Sequence, residues 1–388
     1  MAGNKDLIRH IETSAFGEQK VVAPFQVANA TFAYGVVSTV VASGLFGSGE
    51  ITAGSGLAAV HSGAATNSSG ILQTRRVLQY VPGQGGLFRG TAMFTDGVDG
   101  SQQLFGIGDD LDGFFFGYNG AEFGILKRRD GIDEWVAQAD WNVDPGDGTT
   151  RLPLIDWTKG NVFQIQYQWL GFGLIKFGME EPSTGRLIPC HDWEYANANI
   201  YPSILNPSLP CMVRSENTTN DTDIVVKTAC MAAFTEGELP TVGPGRGISN
   251  DKASVGAIET NIVTIRNKST FKGIRNRSHV RLLVMSAAVE GNKPVSIRLV
   301  FNSTLGGSPS YTSISEDSLI EYDVAGTTLT GGTEVMTIGL AKSDNFFIQS
   351  SEKLLITLAP GAWVTISAES STGGSADVLA SFTWREDF

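Results

Sequence analysis

Charge is scarce in this chain. Asp, Glu, Lys and Arg make up 18% of its 388 residues, against roughly 25% in an average soluble domain, so there is little charge for the solvated faces of long surface helices. Of the charge present, acid outnumbers base by 40 to 28, for a formal net charge of -12. Such a surface is repelled by phosphate backbones, which speaks against a nucleic-acid-coating role. Cysteine is rare too: Cys190, Cys211 and Cys230 show no CxxC or Cys/His metal spacing and cannot all pair within one chain, which excludes a disulfide framework and reads as free thiols. The four histidines, His10, His61, His191 and His279, lie far apart and suggest no metal or nucleophile-activating cluster. Cys190, His191 and Asp192 are contiguous, but neighbouring strand residues point to opposite faces and do not meet as a relay.

Long apolar runs are missing as well. The most apolar stretch, Ala30 to Gly47, is broken by three glycines and several hydroxyls, so it predicts a buried β segment and no membrane span. The N-terminus has no apolar core after its charged start, so no secretory signal is expected and the chain is read as folding in a cytosol. No helical periodicity is sustained beyond the first residues, and no strand and long-helix alternation points to a Rossmann or barrel enzyme.

What is abundant is glycine, with 46 residues, together with Ser, Thr and period-two alternation. In Phe163-Gln-Ile-Gln-Tyr-Gln-Trp169 the apolar residues alternate with glutamines, as in a half-buried antiparallel strand. Val295, Ile297, Leu299 and Phe301 repeat this pattern, as do Val364, Ile366 and Ala368, and then Val378, Ala380, Phe382 and Trp384. Turn clusters such as Glu290-Gly-Asn-Lys and Thr330-Gly-Gly-Thr separate the runs. The fold expected is all-β: two antiparallel, jelly-roll-like β-sandwich domains with a short N-terminal arm. The arm is placed at residues 1–24, the larger sandwich at 25–236, a Gly/Pro linker at 237–256 and the smaller sandwich at 257–388.

Few stretches carry chemistry. Pro82-Gly-Gln-Gly-Gly86 lacks the Lys and Ser/Thr of a P-loop and reads as a turn. Asp109, Asp110 and Asp112 put three carboxylates beside Gly113, hard oxygen ligands that would hold Ca²⁺ if carbonyls completed the shell. A solvated hairpin tip accounts for the same residues. No other cofactor is suggested. Phe114-Phe-Phe-Gly-Tyr118 offers either an aromatic platform for a sugar ring or, more plainly, a strand with two rings in the core and one outside. Asp133, Glu134, Asp140, Asp144, Glu180 and Glu181 supply carboxylates without the framing motif of a glycosidase pair, so no catalytic residue is assigned.

Several blocks resemble structural proteins of tailed bacteriophages and other large DNA viruses: Tyr80-Val-Pro-Gly-Gln-Gly85, Gln103-Leu-Phe-Gly-Ile-Gly108, Asp112-Gly-Phe-Phe-Phe-Gly-Tyr-Asn-Gly120, Asp156-Trp-Thr-Lys-Gly-Asn161 and, near the end, Phe382-Thr-Trp-Arg-Glu-Asp-Phe388. The resemblance implies a non-enzymatic virion component assembled in the host cytoplasm, a capsid decoration or tail-fibre part attached at head, neck or tail. Its arm and first domain would contact other virion proteins, its second sandwich would project outward for host attachment, and the chain would be a homo-oligomer, with a trimer favoured. The alternative is a carbohydrate- or host-receptor-binding module reading a host surface glycan. A glycan-degrading enzyme ranks third, because the alternating strands carry glutamines where paired carboxylates would stand.

Overall fold

A computed structural model describes residues 23–237, 243–349, 356–371 and 374–387. The chain divides into two compact units, Met1–Pro240 and Thr241–Phe388, and both are built of antiparallel strands, as expected. Apart from Pro24 and its neighbour, the arm expected at 1–24 lies outside the described residues.

The first unit opens with β1 (Pro24–Thr31), β2 (Val41–Phe46), β3 (Glu50–Gly54), β4 (Leu57–His61) and β5 (Ser68–Leu78). It continues with β6 (Gly86–Phe94), β7 (Ser101–Gly108), β8 (Gly113–Asn119), β9 (Glu122–Arg129) and β10 (Ile132–Ala137). It closes with β11 (Asn161–Tyr167), β12 (Ile175–Glu181), β13 (Arg186–Trp193), β14 (Leu209–Asn217), β15 (Val225–Thr228) and β16 (Cys230–Glu236). One sheet has seven strands in the order β10-β9-β8-β7-β14-β5-β2; the other has nine, running β13-β12-β11-β6-β15-β4-β3, with β16 also on β6 and β1 outside it.

Local chemistry sets the registers. Between β9 and β10 the two turn residues Asp130 and Gly131 both have positive φ, 51° and 76°, the type I′ geometry whose twist matches an antiparallel hairpin. Arg129 therefore pairs with Ile132 and Trp135 with Leu126. In β11, Phe163, Ile165 and Tyr167 are fully buried as the alternation predicts, while Trp169 lies just past the strand end. The two sheets meet through aromatic edges: Phe163 of the nine-stranded sheet lies 5.9 Å from Phe105 and 4.9 Å from Phe116 of the other, and Phe116 lies 5.2 Å from Phe177. Of the three consecutive phenylalanines, Phe114 and Phe116 enter this core and Phe115 points to the opposite face, where it is also fully buried. The two-in, one-out reading is met in direction, but the outward ring is covered.

The second unit pairs a five-stranded sheet, containing Gly245–Val255, Ala376–Asp387, His279–Gly291, Asn345–Gln349 and Thr357–Leu358, with a six-stranded one. The six strands are Thr312–Ser313, Ile320–Asp323, Thr260–Asn267, Trp363–Ser370, Val295–Phe301 and Thr333–Leu340. Ile297, Leu299, Val364, Ile366, Phe382 and Trp384 form its core from the two sheets. The linker expected at 237–256 is shorter than that, because Gly245–Val255 is a strand paired along its length with the last strand. Its composition hides it: Arg246, Ile248, Asn250 and Lys252 alternate as half-buried positions among small exposed residues, a polar edge strand without an apolar face to read.

The last strand is fixed by a buried charge. Glu386 is fully buried and accepts hydrogen bonds from Ser318 Oγ at 2.5 Å, the Leu319 N–H at 3.0 Å and Trp384 Nε1 at 3.1 Å, with Arg246 Nε 3.4 Å away. The carboxylate is tolerated in the core because its oxygens are satisfied. Glu386→Ala would strand those donors, a cost of about 3 kcal/mol. The expected outcome in chemical denaturation is that the second unit's transition moves to lower denaturant while that of the first unit stays in place.

Candidate binding face

The outward face of the seven-stranded sheet carries a bonded group of polar side chains beside an indole. Cross-strand pairing sets side by side Gln73, Met212, Gly106, Phe115, Leu126 and Trp135, in that order across β5, β14, β7, β8, β9 and β10. Leu104, Phe115, Leu126 and Met212 form a small second cluster on this face, none more than 1% exposed. Polar side chains roof it. Arg128 lies 5.9 Å over the Phe115 ring, and Gln73 Nε2 donates to Met212 Sδ at 3.2 Å.

Arg128 grips Asp133 with two bonds, Nε to Oδ1 at 2.6 Å and Nη2 to Oδ2 at 2.9 Å, and its Nη2 also donates to Gln102 Oε1 at 3.3 Å. Gln102 Nε2 in turn reaches Asp133 Oδ2 at 3.4 Å. Gln102 pairs with Asn119 and Arg128 with Gly113, positions six residues apart along β8, or ~20 Å of extended strand. Two side chains do not span that distance over a flat sheet, so the strands curve and this face is concave. Beside the trio, Trp135 is half-exposed, and its indole Nε1 donates to Glu122 at 3.0 Å. Glycine makes room for it: a Cβ on Gly124 would stand 2.8 Å from Trp135 Cζ2. Farther across, Arg214 pairs with Glu216 at 2.5 Å, and Glu216 is the cross-strand neighbour of Gln102.

The three aspartates singled out in the sequence lie in the β7–β8 turn at one end of this sheet. Asp109 Oδ1 accepts the N–H groups of Leu111 and Asp112 at 2.8 and 2.9 Å, and Asp112 Oδ1 accepts those of Asp130 and Leu205 at 3.2 and 2.9 Å. Asp110 is exposed. The carboxylates of Asp109 and Asp112 thus hold turns together, and among the described residues no three His, Cys, Asp or Glu side chains converge so that they could hold a metal ion. Of the other acids, Asp144 is buried and spends its oxygens on the N–H groups of Gly146, Arg151 and Leu152, all at 3.0 Å. Burial would raise its pKa, yet the Thr150 hydroxyl and these amides outweigh that and hold it below the usual aspartate value. Glu134 pairs at 2.6 Å with the buried Lys127, whose ammonium also lies 4.6 Å from the Tyr195 ring centre.

Cys190, His191 and Asp192 do not act together. His191 Nδ1 accepts the Asn142 N–H at 3.3 Å, and burial drives the Cys190 thiol pKa well up. One grouping was invisible in the sequence: His61 Nδ1 lies 2.8 Å from Asp223 and its Nε2 3.2 Å from Thr52 Oγ1, joining residues 162 positions apart. The Asp223 carboxylate also accepts the Gly63 N–H at 2.8 Å, so it ties the end of β4 to the segment entering β15.

No family model matches the chain, and no curated protein matches its sequence. Among solved structures, "Cellulose induced protein, Cip1" is 13% identical, with 53% of this chain and 95% of that one covered and a TM-score of 0.37. The metal-free carbohydrate recognition domain of Emp46p is 11% identical, covering 54% and 96% at a TM-score of 0.33. A Bacillus licheniformis beta-glucanase is 10% identical, covering 53% and 97% at 0.35. Likeness this low carries nothing about activity; what the first unit does is argued below from its own residues.

Burial lowers the His191 pKa below the ordinary 6.5, against an opposing pull from Asp192. Above pH 6.5 the ring is neutral in both the folded and unfolded chain. As the pH falls below 6.5 the unfolded chain takes up a proton that the folded one refuses, so stability is lost down to the folded pKa. The expected outcome is that His191→Gln flattens this acid limb when thermal midpoints are compared between pH 7.5 and about 5.

Proposed function

We propose that the first unit is a carbohydrate-binding module, with the concave outer face of its seven-stranded sheet as the binding surface. The observation that supports this most is the pairing, on one concave face, of a half-exposed indole held in place by Glu122 with the Arg128, Asp133 and Gln102 trio. A sugar ring offers an apolar C–H face and a rim of hydroxyls. An aromatic plane takes the first, and planar carboxylate, amide and guanidinium groups take the second. The groups are already fixed by one another, so little side-chain entropy remains to be lost on binding.

Binding without hydrolysis is the reading we favour. Glycosidases need one carboxyl positioned to hand a proton to the glycosidic oxygen, whereas both Asp133 oxygens are engaged by Arg128, and Glu216 is paired with Arg214. The virion setting, favoured by the sequence blocks described above, is our second reading: a glycan-binding face carried on a particle would serve attachment to a host. Cryo-electron microscopy of the particle, finding symmetric copies of the chain at head, neck or tail, would support it, and a chain with no place on any particle would end it.

The test of the binding reading is a screen of immobilised oligosaccharides followed by calorimetry on the best binder. Trp135→Ala is expected to weaken binding about tenfold or more, ~1.4 kcal/mol, with the fold retained by circular dichroism at the assay temperature and the thermal midpoint lowered, because the ring also packs on the apolar cluster beneath it. Failure of the unaltered protein to bind any member of a broad panel, or equal affinity of the variant, would count against the face.

A further inference from the structure

The sheet edges of the first unit are not treated alike. A strand at a sheet edge presents unpaired N–H and C=O groups that any other strand can join, and proteins block such joining with charge, proline, bulges or very short strands. β10 carries Asp133 and Glu134, β13 carries Arg186, His191 and Asp192, and the five-residue β3 begins at Glu50. β1 has no charge, but it starts at Pro24 and is bulged between Gln26 and Ala28. β2 has none of these devices. It is six residues long, free of proline, and pairs with β5 in unbroken register, while its other edge meets no described strand.

The segment that carries β2 has no charge of its own, and the charge beside it comes from the paired strand β5, where the exposed Arg75 donates its Nε–H to the Ser38 carbonyl. From Thr31 to Gly49 there is no Asp, Glu, Lys, Arg or His, in a chain whose net charge is -12. Tyr34 is 94% exposed, Leu45 59% and Phe46 66%, with Val37 and Val40 also open to solvent. Leu45 and Phe46 are consecutive, so apolar side chains are bare on both faces of the same edge strand.

We propose that β2 pairs with β2 of a second copy of this chain, antiparallel about a two-fold axis, joining the two seven-stranded sheets into one. Charge selects the occupant. Two copies of an acidic protein repel wherever their acidic surfaces meet, and β2 placed against itself brings no ionisable side chain of its own to the contact. The pairing is sterically open at its centre. With the axis at Gly44, Phe46 of each chain lies opposite Ala42 of the other and Leu45 opposite Ser43, with no side chain on the axis itself. Antiparallel partners directly opposite share a face, so both apolar residues of each edge gain a neighbour. The product is a two-fold dimer, in place of the trimer expected from the sequence.

Light scattering coupled to size exclusion on the full chain is expected to give twice the chain mass at micromolar concentration. Leu45→Lys with Phe46→Lys is expected to halve that mass, with circular dichroism and the thermal midpoint retained. A second variant reads the geometry without weakening the edge: Gly44→Cys in a Cys230→Ser background. A Cβ at Gly44 would meet only Ile71 Cβ, at 3.7 Å, and the remaining cysteines, Cys190 and Cys211, are buried. Mild oxidation is expected to link most of the chain into disulfide-bonded dimers on a non-reducing gel. A monomeric wild-type chain, a dimer that survives both lysines, or a dimer in which Gly44→Cys does not cross-link would each overturn the proposal.

Discussion

Phe163 packs against Phe105 and Phe116 across the interface between the two sheets, and Phe116 reaches on to Phe177. This aromatic seam is what the first unit depends on. Each ring buried there contributes roughly 2–3 kcal/mol through the area it removes from water, with edge-to-face contacts adding to that. Because the rings of β7, β8 and β11 sit on alternate positions, filling the seam also dictates what the other face of each strand shows. Phe105 and Phe116 inward means Leu104, Phe115 and Gly117 outward, and the candidate binding face is the reverse side of the core.

That reverse side is neither a second core nor an ordinary wet surface. Four apolar residues lie under a roof of Arg128, Gln73 and Gln102, and the roof is pinned by Asp133. An arginine this deeply covered is held because its charge is matched and its plane rests on a ring. The cost of ordering these side chains has already been met in the free protein. A surface with fixed planar donors and acceptors beside an indole suits a hydroxyl-rich ligand better than a flat apolar partner.

The fold was largely legible from the residues. Period-two alternation in 163–169, 295–301, 364–368 and 378–384 is a local signal, and each of those runs lies on a strand with its apolar side inward, except that the first strand ends at Tyr167, short of Trp169. The strand at Gly245–Val255 was not legible, since its partner supplies its register and its own side chains offer no apolar stripe. The site was much less visible. Asp109, Asp110 and Asp112 have the composition of a cation loop, yet the carboxylates of Asp109 and Asp112 answer backbone amides, some of them from residues as far along the chain as Leu205. Trp135, Arg128 and Gln102 carry no motif, so nothing in their spacing marks them as companions.

The sequence by itself determined the class of fold and which face of the alternating strands turns inward, because alternation, turn residues and composition act over a few neighbouring positions. It also carried the contrast between an acidic chain and an uncharged stretch at 31–49. Only the tertiary structure decided that this stretch ends in an unguarded sheet edge, that Arg128 meets Gln102 over a concave face, and that His61 meets Asp223 across 162 positions. Strand order and sheet curvature arise from long-range packing of whole elements, and no window of residues along the chain encodes them.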